Sequence, residues 1–410
     1  MTGLNSDGEK MLNILIILFL FYTVFKITLE LVELNFVKNE YQKEPVILEK
    51  EAFIEAGEIS MANKKFEMFS LIYEFIIVVM WLSFGLKALY QNIVIDGTMA
   101  QNIVFVMSFI IISSLLSLPL EIYSKFVKDK KFGFSTIDRN TFIKDLLKSF
   151  AISLIFGSLV VWLILLCISF LGSSWWLWAA LLSFVIVLII NFLYPTLIAP
   201  LFNKMEVLQN DELKKSIEAL MDKCGFKSSG VYTIDASKRD NRLNAYFGGL
   251  GSSKRVVLFD TLIEKLTKDE ILAVLGHELG HFKNKDILRN LVFSAILIVV
   301  VFGLFGNLPT AIFEAVGLEK SGGAIIIMLM ILSNLLSFVV TPLMSALSRA
   351  REFKADEFGA EIQDKESMAS ALKKLGSENK AFPKSSKIYS SFYHSHPTLY
   401  ERISKLESQN

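Results

Sequence analysis

Residues 150–171 read FAISLIFGSLVVWLILLCISFL, and residues 175–197 read WWLWAALLSFVIVLIINFLYPTL. Neither run contains a charged residue, and only a three-residue GSS link separates them. Because the hydrocarbon core of a bilayer requires about 20 apolar residues per helix, this stretch predicts two membrane-spanning helices joined as a tight hairpin. Tryptophans at the start of the second helix are suited to an interfacial aromatic belt; they are Trp175, Trp176 and Trp178.

Five further apolar runs of similar length bring the predicted spans to seven. The whole chain of 410 residues is 53% hydrophobic and only 20% charged, whereas soluble domains carry about 25% charged residues. This composition excludes a soluble fold and intrinsic disorder, and the net charge of +1 gives no electrostatic footprint for nucleic-acid binding. Two distant cysteines indicate neither a disulfide framework nor a thiolate metal site. The predicted spans are 11–31, 66–86, 102–122, 150–171, 175–197, 287–305 and 324–347.

Lysine and arginine are distributed unequally between alternate loops. The first, third and fifth connections contain many basic residues, whereas the second, fourth and sixth contain Lys87, none and Lys320. Since basic loops stay in the cytoplasm, we expect an external N-terminus and a cytoplasmic C-terminus. The predicted organisation is five spans in 1–197, a cytoplasmic segment in 198–286, two spans in 287–347 and a second cytoplasmic segment in 348–410.

The fifth connection is long and polar enough to form a small domain. It contains an amphipathic helical pattern at 211–224 and β-like runs at 231–235 and 255–259. Between these runs, the glycines of 244–249 indicate a turn or a close backbone approach. Because the last two spans form a hairpin, the segments before and after them emerge on the same side and can build one site together.

The chemistry is concentrated in the motif HELGH at 277–281. Its helix begins at Thr267, which forms a capping-box pattern with Glu270. His277 and His281 are one helical turn apart and can hold one Zn²⁺ ion. The intervening Glu278 can accept a proton from a water molecule that the metal activates and deliver it to the leaving amine. The alternative is a pair of structural histidines on an amphipathic helix.

A catalytic zinc site usually takes three protein ligands, so a third is expected elsewhere. The best candidate is Glu352, directly after the seventh span, with Asp356 one turn later as a hydrogen-bond acceptor for a ligating histidine. Alternatively, both carboxylates are solvated and pair with nearby basic residues. Arg349 and Arg351 either hold this helix at the membrane surface or assist catalysis.

The remaining histidines are His394 and His396, in the sequence YHSHP. One of them could donate a hydrogen bond to the oxyanion of a tetrahedral intermediate. Otherwise both are surface or capping residues before a final helix that has Pro397 in its first turn. Their spacing alone does not separate these interpretations.

Taken together, these motifs resemble the integral-membrane zinc metalloproteases of the CAAX prenyl protease 1 family. The resemblance extends over the seven spans and the sequences YP at 194–195, IAPLFNK at 198–204, NAY at 244–246, VLFDTL at 257–262, HELGH at 277–281, SR at 348–349 with EF at 352–353 and AD at 355–356, and SHP at 395–397 with ER at 401–402.

The resemblance implies one zinc ion per chain, held by His277, His281 and Glu352, with Glu278 as general base. It also implies that Asn244 and His396 stabilise the intermediate, which favours His396 over His394. The implied fold is an all-α, seven-helix membrane protein around a large intramembrane chamber, with a small α+β zincin-like domain on the cytoplasmic side. The substrate peptide would add to the edge of a strand, formed here by Asn244, Ala245, Tyr246, Phe247 and Gly248.

Family members remove the last three residues of an S-prenylated Cys-a-a-X peptide, so the implied partners are a peptide or lipopeptide and the bilayer, with a monomeric enzyme. The compact loop 306–323, the Lys-rich composition and a C-terminus without a retention signal suggest a bacterial homologue in the inner membrane; a eukaryotic member would occupy the endoplasmic reticulum or inner nuclear membrane. One alternative is a quality-control protease of the HtpX type acting on non-prenylated membrane proteins. Another is a non-enzymatic chamber for a hydrophobic ligand.

Three polar residues fall inside the predicted spans. Ionisable and amide groups are costly in lipid and usually face the protein interior. Glu74, Asn191 and Asn334 are therefore candidates for lining the chamber, although hydrogen bonding between helices would also account for the two amides.

Overall fold

The computed structural model describes residues 6–249 and 251–408. Seven helices in this part of the chain are long and apolar enough to cross a membrane, and each contains one predicted span. The prediction of a seven-span membrane protein is therefore confirmed. The first five of these helices are α1 (Ser6–Glu40), α2 (Lys50–Ile93), α3 (Met99–Lys131), α4 (Arg139–Phe170) and α5 (Gly172–Phe202).

Helix α5 continues past the predicted end of its span at Leu197. A π-helical turn at Tyr194–Ile198 connects its main part to a final turn at Ala199–Phe202. Pro195 has no backbone N–H and its ring would clash with the preceding turn of a regular α-helix. The wider turn accommodates the proline, so the helix continues past it.

A four-stranded sheet follows α5. It contains β1 (Met205–Val207), β2 (Val231–Ile234), β3 (Ala245–Gly248) and β4 (Arg255–Phe259), and helix α6 (Asp211–Lys223) lies between the first two strands. The strand order is β1-β2-β4-β3, with β2 and β4 parallel and the other pairs antiparallel. Within this sheet β3 pairs only with β4, so one edge of β3 has no strand partner.

Residues 245–248 form β3, as expected for the strand edge that the resemblance implies at 244–248. The turn itself begins at Gly249, whose φ angle is +92° and where a Cβ atom would lie 2.4 Å from the carbonyl oxygen of Ser253. Glycine is required there both by the backbone angle and by the close approach. Residues 245–248, which precede this turn, are extended because antiparallel pairing with β4 satisfies their backbone groups.

The rest of the chain is helical. Helix α8 contains the HELGH motif, and its capping box is present as predicted, with the Glu270 carboxylate accepting from Thr267 N at 2.7 Å. The helices after the sheet are α7 (Asp260–Lys265), α8 (Lys268–Lys283), α9 (Asp286–Phe305), α10 (Thr310–Ala315), α11 (Gly322–Ile362), α12 (Lys365–Glu378), α13 (Lys387–Tyr393) and α14 (Leu399–Glu407).

The final helix, α14, begins at Leu399, so Pro397 lies before its first turn and not within it as predicted. Its N-cap is Thr398, which forms a capping box with Glu401, and Pro397 precedes the cap. The hydroxyl and carboxylate of this box satisfy two N–H groups at the helix start, and this local bonding fixes the boundary.

Five of the seven membrane helices contain a long stretch without buried residues. In α11 they occur at 323–332 and again from Ser345 onward, while none of 333–344 is buried. The central segments 110–128, 142–160, 181–194 and 287–301 likewise contain no buried residue. Closely packed helices would bury one face along their whole length. Helices α3, α4, α5, α9 and α11 are therefore not closely packed along these stretches, in agreement with the expected intramembrane chamber.

Helices α8 and α11 pack with their backbones in close contact. A Cβ atom on Gly280 would lie 3.0 Å from Cα of Ala355, and one on Gly359 would lie 3.0 Å from the Ala273 carbonyl oxygen and the His277 amide nitrogen. No side chain fits between the helices at these positions. The HELGH helix is thereby held directly against the helix that carries Glu352.

We expect Gly359→Ala to lower the free energy of unfolding by about 1–3 kcal/mol, the usual cost of forcing a methyl group into a packed interface. The change is measured by thermal or denaturant unfolding of the purified protein in detergent. Gly303→Ala in α9 is the matched control, because its Cβ would make an ordinary 3.4 Å contact with the Trp176 ring. Equal effects of the two substitutions would contradict a requirement for close packing at Gly359.

Candidate metal centre

Helix α8 and helix α11 bring three potential metal ligands together. The Nε2 atoms of His277 and His281 are 3.2 Å apart. Nε2 of His277 lies 3.4 Å from one oxygen of Glu352, and Nε2 of His281 lies 3.3 Å from the other. We call these three residues the metal centre.

Two carboxylates orient the imidazoles of the metal centre. Nδ1 of His277 is 2.8 Å from Asp356 Oδ1, and Nδ1 of His281 is 2.9 Å from Asp286 Oδ2. Because a carboxylate only accepts hydrogen bonds, each Nδ1 donates its proton to it. In a neutral imidazole the Nε2 atom then presents a lone pair toward the centre.

The residues present fit a zinc ion. A tetrahedron with zinc–ligand bonds of about 2.0–2.1 Å has edges of roughly 3.3–3.4 Å, close to the three separations observed. One oxygen of Glu352 is buried without a hydrogen-bond partner, so when both imidazoles are neutral and protonated at Nδ1, the lone pairs of the Nε2 atoms and of this oxygen face one another. A cation would remove this repulsion.

Electrostatics at His277 support the same conclusion. Burial lowers the pKa of this imidazole, but hydrogen bonds to Asp356 and Glu352 outweigh burial and raise the pKa to about 9. The surroundings therefore favour a positive charge at this point, which either a proton or a metal cation can supply.

Glu278 lies beside the metal centre and faces a cavity of about 310 Å³. Burial raises the pKa of its carboxyl group, while the imidazoles of His277 and His281 oppose that rise. A carboxylate with a raised pKa holds a proton more readily, which suits a group that must accept and then release one.

Asn244 and His396 line the same cavity. Nε2 of His396 is 3.3 Å from Glu352, and its Nδ1 is 2.9 Å from the Ser395 hydroxyl. When that hydroxyl donates to Nδ1, Nε2 carries the proton and can donate into the cavity. The side chain of His396 is 58% exposed, so a bound molecule can reach it.

His394 does not reach the metal centre through any contact of the described residues. Its ring packs edge-on against Tyr389, and its carbonyl oxygen accepts a hydrogen bond from Arg349 at 2.8 Å. Burial lowers the pKa of His394 to about 4, helped by the positive charges of Lys64 and Arg349. Its contacts therefore indicate a structural role.

Two charged residues at the metal centre were not predicted. Arg402 forms a bidentate pair with Asp356 at 2.6 and 2.8 Å, and Asp286 binds His281. Arg402 belongs to the motif ER at 401–402, for which no role was predicted. The sequence does contain a signal for Asp286. Each ligating imidazole needs a hydrogen-bond acceptor at Nδ1, and Asp286 follows His281 by only five residues.

The basic residues of α11 differ in position. Arg349 binds the carbonyl oxygens of Ser390 and His394, each at 2.8 Å. Arg351 donates to Asn290 Oδ1 at 2.8 Å. Both side chains therefore hold neighbouring segments rather than contact the three ligands.

The three polar residues predicted to lie inside the spans have different surroundings. Glu74 and Asn334 line one cavity of about 390 Å³ in the middle of the membrane helices. Asn191 donates a hydrogen bond to the Val187 carbonyl oxygen of its own helix. The first two contribute polar groups to the open region, and the amide of Asn191 is satisfied locally.

The chain has a multi-span membrane fold, and its HELGH helix packs against the helix that carries Glu352. These features define an integral-membrane metallopeptidase. Two family models match the chain: "CAAX prenyl protease N-terminal, five membrane helices" over residues 35–204, and "Peptidase family M48" over residues 207–410. The chain belongs to the CAAX prenyl protease 1 family of M48 peptidases.

Similar proteins support this membership along most of the chain. CAAX prenyl protease 1 of Saccharomyces cerevisiae is 32% identical, with 90% of this chain and 89% of the relative covered. The human CAAX prenyl protease 1 homolog is 33% identical, with 75% and 74% covered. The crystal structure of S. mikatae Ste24p matches with a TM-score of 0.89 and 30% identity, covering 97% of this chain and 99% of that one. The chain is accordingly a membrane metalloendopeptidase, and the non-enzymatic alternative is excluded.

Proposed function

We propose that this protein is a zinc-dependent endopeptidase that removes the C-terminal tripeptide from S-prenylated Cys-a-a-X peptides. The observation that carries the zinc assignment is the convergence of His277, His281 and Glu352: the two Nε2 atoms are 3.2 Å apart, and each lies 3.3 or 3.4 Å from one of the two oxygens of Glu352, separations close to those between ligands in tetrahedral coordination. The substrate assignment is supported by the relatives named as prenyl proteases.

The metal centre would hold one zinc ion through His277, His281 and Glu352. When bound, zinc supplies a Lewis acid that lowers the pKa of water and polarises a carbonyl group. Asp356 and Asp286 keep the two imidazoles in the ligating tautomer. Glu278 accepts the proton of the attacking water on its carboxylate and delivers that proton to the nitrogen of the leaving peptide.

Asn244 and His396 are proposed to stabilise the carbonyl oxygen of the scissile bond as it gains negative charge. Both side chains face the cavity beside Glu278. The Nε2–H of His396 and the amide N–H₂ of Asn244 are hydrogen-bond donors of the type that an oxyanion needs. These groups are held in place before the reaction, so they need little reorganisation during it.

The peptide itself is proposed to lie along β3, from Ala245 to Gly248, with Asn244 at its start. This strand is at the edge of the sheet and pairs with β4 on one side only. An extended peptide can therefore add to the free side through backbone hydrogen bonds. The open middle of the membrane helices would receive the prenyl chain in apolar surroundings.

The arrangement of the spans leads to a proposed orientation. Basic residues are concentrated in the connections on the side of the sheet and the metal centre, which supports a site at the cytoplasmic surface. We propose one zinc ion per monomeric chain, with the bacterial inner membrane as the location if the source is bacterial. The five-helix N-terminal match favours a prenyl protease over the HtpX-type alternative.

Paired peptides test the substrate class. We expect the purified protein in detergent to release the tripeptide from a farnesylated Cys-a-a-X peptide with a kcat/KM at least tenfold higher than from the same peptide without the lipid, because the lipid adds apolar binding area. Mass spectrometry of the products identifies the bond that is cleaved. Equal cleavage of both peptides, or cleavage only within unfolded membrane proteins, would support the quality-control alternative instead.

A further inference from the structure

Two glutamates of the first membrane helix are buried although they lie outside the metal centre. The exposed fractions of Glu30 and Glu33 in α1 are 2% and 3%. Buried carboxylates are rare unless they are paired, and ionisable residues in membrane helices usually mark a functional contact. Their partners are on α2 and on the segment that leads to His396.

Glu33 binds the start of α13. Its carboxylate accepts a hydrogen bond from the Ser386 N–H at 2.9 Å, and both groups are buried. The Ser386 hydroxyl in turn caps α13 by accepting from Tyr389 N at 3.1 Å. Glu33 therefore fixes the residue from which α13 begins.

Glu30 binds the same helix one turn further along. Its carboxylate accepts from the Tyr389 hydroxyl at 3.2 Å and pairs with Lys64 of α2 at 3.1 Å. Burial and the neighbouring Glu30 raise the pKa of Tyr389, so the phenol keeps its proton and remains a donor. Two carboxylates of α1 thus hold both ends of the first turn of α13.

The opposite side of this segment is held by α11. Arg349 lies three residues before the ligand Glu352 and donates to the carbonyl oxygens of Ser390 and His394, each at 2.8 Å. The chain from Ser386 to His396 is therefore fixed between α1 and α11. Its last residue is the histidine whose Nε2 atom lies 3.3 Å from Glu352.

We propose that Glu30 and Glu33 are positioning residues, through which membrane helix α1 holds residues 386–396 so that the His396 imidazole stays beside Glu352 in the cavity. The inference rests on the proposed function, since it assigns to α1 a part in placing the oxyanion donor. The two carboxylates do not contact substrate; they act through the segment that carries His396.

Glu33→Ala removes the acceptor of the Ser386 N–H. In the full-length protein with zinc, we expect kcat for the farnesylated peptide to fall about tenfold with KM and zinc content unchanged. Glu33→Gln retains a carbonyl acceptor and should keep most of the activity. Tyr389→Phe removes the donor to Glu30 and provides a second, milder variant, while Glu58→Ala, at an exposed position of α2, is the control.

A double-mutant cycle separates positioning from general destabilisation. If Glu33 acts through His396, then Glu33→Ala should change kcat less than twofold in a His396→Ala background. A tenfold loss in both backgrounds would overturn the proposal, as would loss of zinc from Glu33→Ala. If Glu33→Ala does not fold, the same cycle is measured with Tyr389→Phe.

Hydrogen exchange provides a readout that does not depend on activity. We expect amides of residues 386–396 to exchange at least tenfold faster in Glu33→Ala, with or without zinc, while amides of α8 are unchanged. Unchanged exchange in 386–396 would overturn the proposal. Failure of the wild type to cleave the peptide, or full activity of His396→Ala, would instead reject the proposed function or the role of His396, so the two failures are distinguishable.

Discussion

Glu278→Gln is expected to lower kcat by about 10³–10⁴-fold while the protein retains its zinc. The substitution keeps the size of the side chain and its place at the cavity but removes the group that accepts a proton, and general-base catalysis contributes at most about 10⁴-fold. Release of the tripeptide is measured by mass spectrometry, and metal content by elemental analysis.

The control for this experiment is Glu264→Gln, which changes an exposed glutamate of α7. It should cleave the peptide at the rate of the wild type. Wild-type activity in Glu278→Gln would show that the water is activated by another group, and zinc loss in that variant would leave Glu278 with a structural role only.

Glu352→Gln is expected to weaken zinc binding by more than 100-fold and to abolish peptide cleavage. Substituting a partner that only orients a ligand costs about 10–100-fold in metal affinity, whereas the two carboxylate oxygens of Glu352 itself lie 3.3 and 3.4 Å from the Nε2 atoms of His281 and His277. Competition with a chromogenic chelator measures the affinity, and added Zn²⁺ should restore the chelated wild type but not the variant.

Glu361→Ala is the matched control because Glu361 is an exposed glutamate of the same helix. It should bind zinc as the wild type does. If Glu352→Gln also keeps one zinc ion per chain and full activity, the third ligand has been assigned to the wrong residue.

The membrane spans and the HELGH helix could be predicted because they depend on local sequence. An uninterrupted apolar run is sufficient to indicate a span, and the capping box of Thr267 fixes the start of α8 independently of its neighbours. Glu352 could be proposed because the chemistry demanded a third ligand in a segment that emerges on the same side of the membrane.

Contacts between distant segments could not be predicted in the same way. Arg402 reaches Asp356 from 46 residues away, and Ser386 reaches Glu33 from 353 residues away. Neither pair has a local pattern, because partner choice is set by how the helices pack. For residues 245–248 the glycines alone indicate only a turn or a close backbone approach, and the strand that these residues form depends on their pairing with β4.

Helix α11 runs without interruption from the far side of the membrane to the peptidase domain. It has 41 residues and hence a length of roughly 60 Å. Its span meets the acyl chains, and its continuation carries Glu352. Lipids that are too long or too short for the span impose a tilt by hydrophobic mismatch. A tilt of about 5° over the roughly 25 Å between mid-span and Glu352 would displace the carboxylate by about 2 Å. The acyl-chain length of the surrounding lipids would thus affect the position of the Glu352 carboxylate.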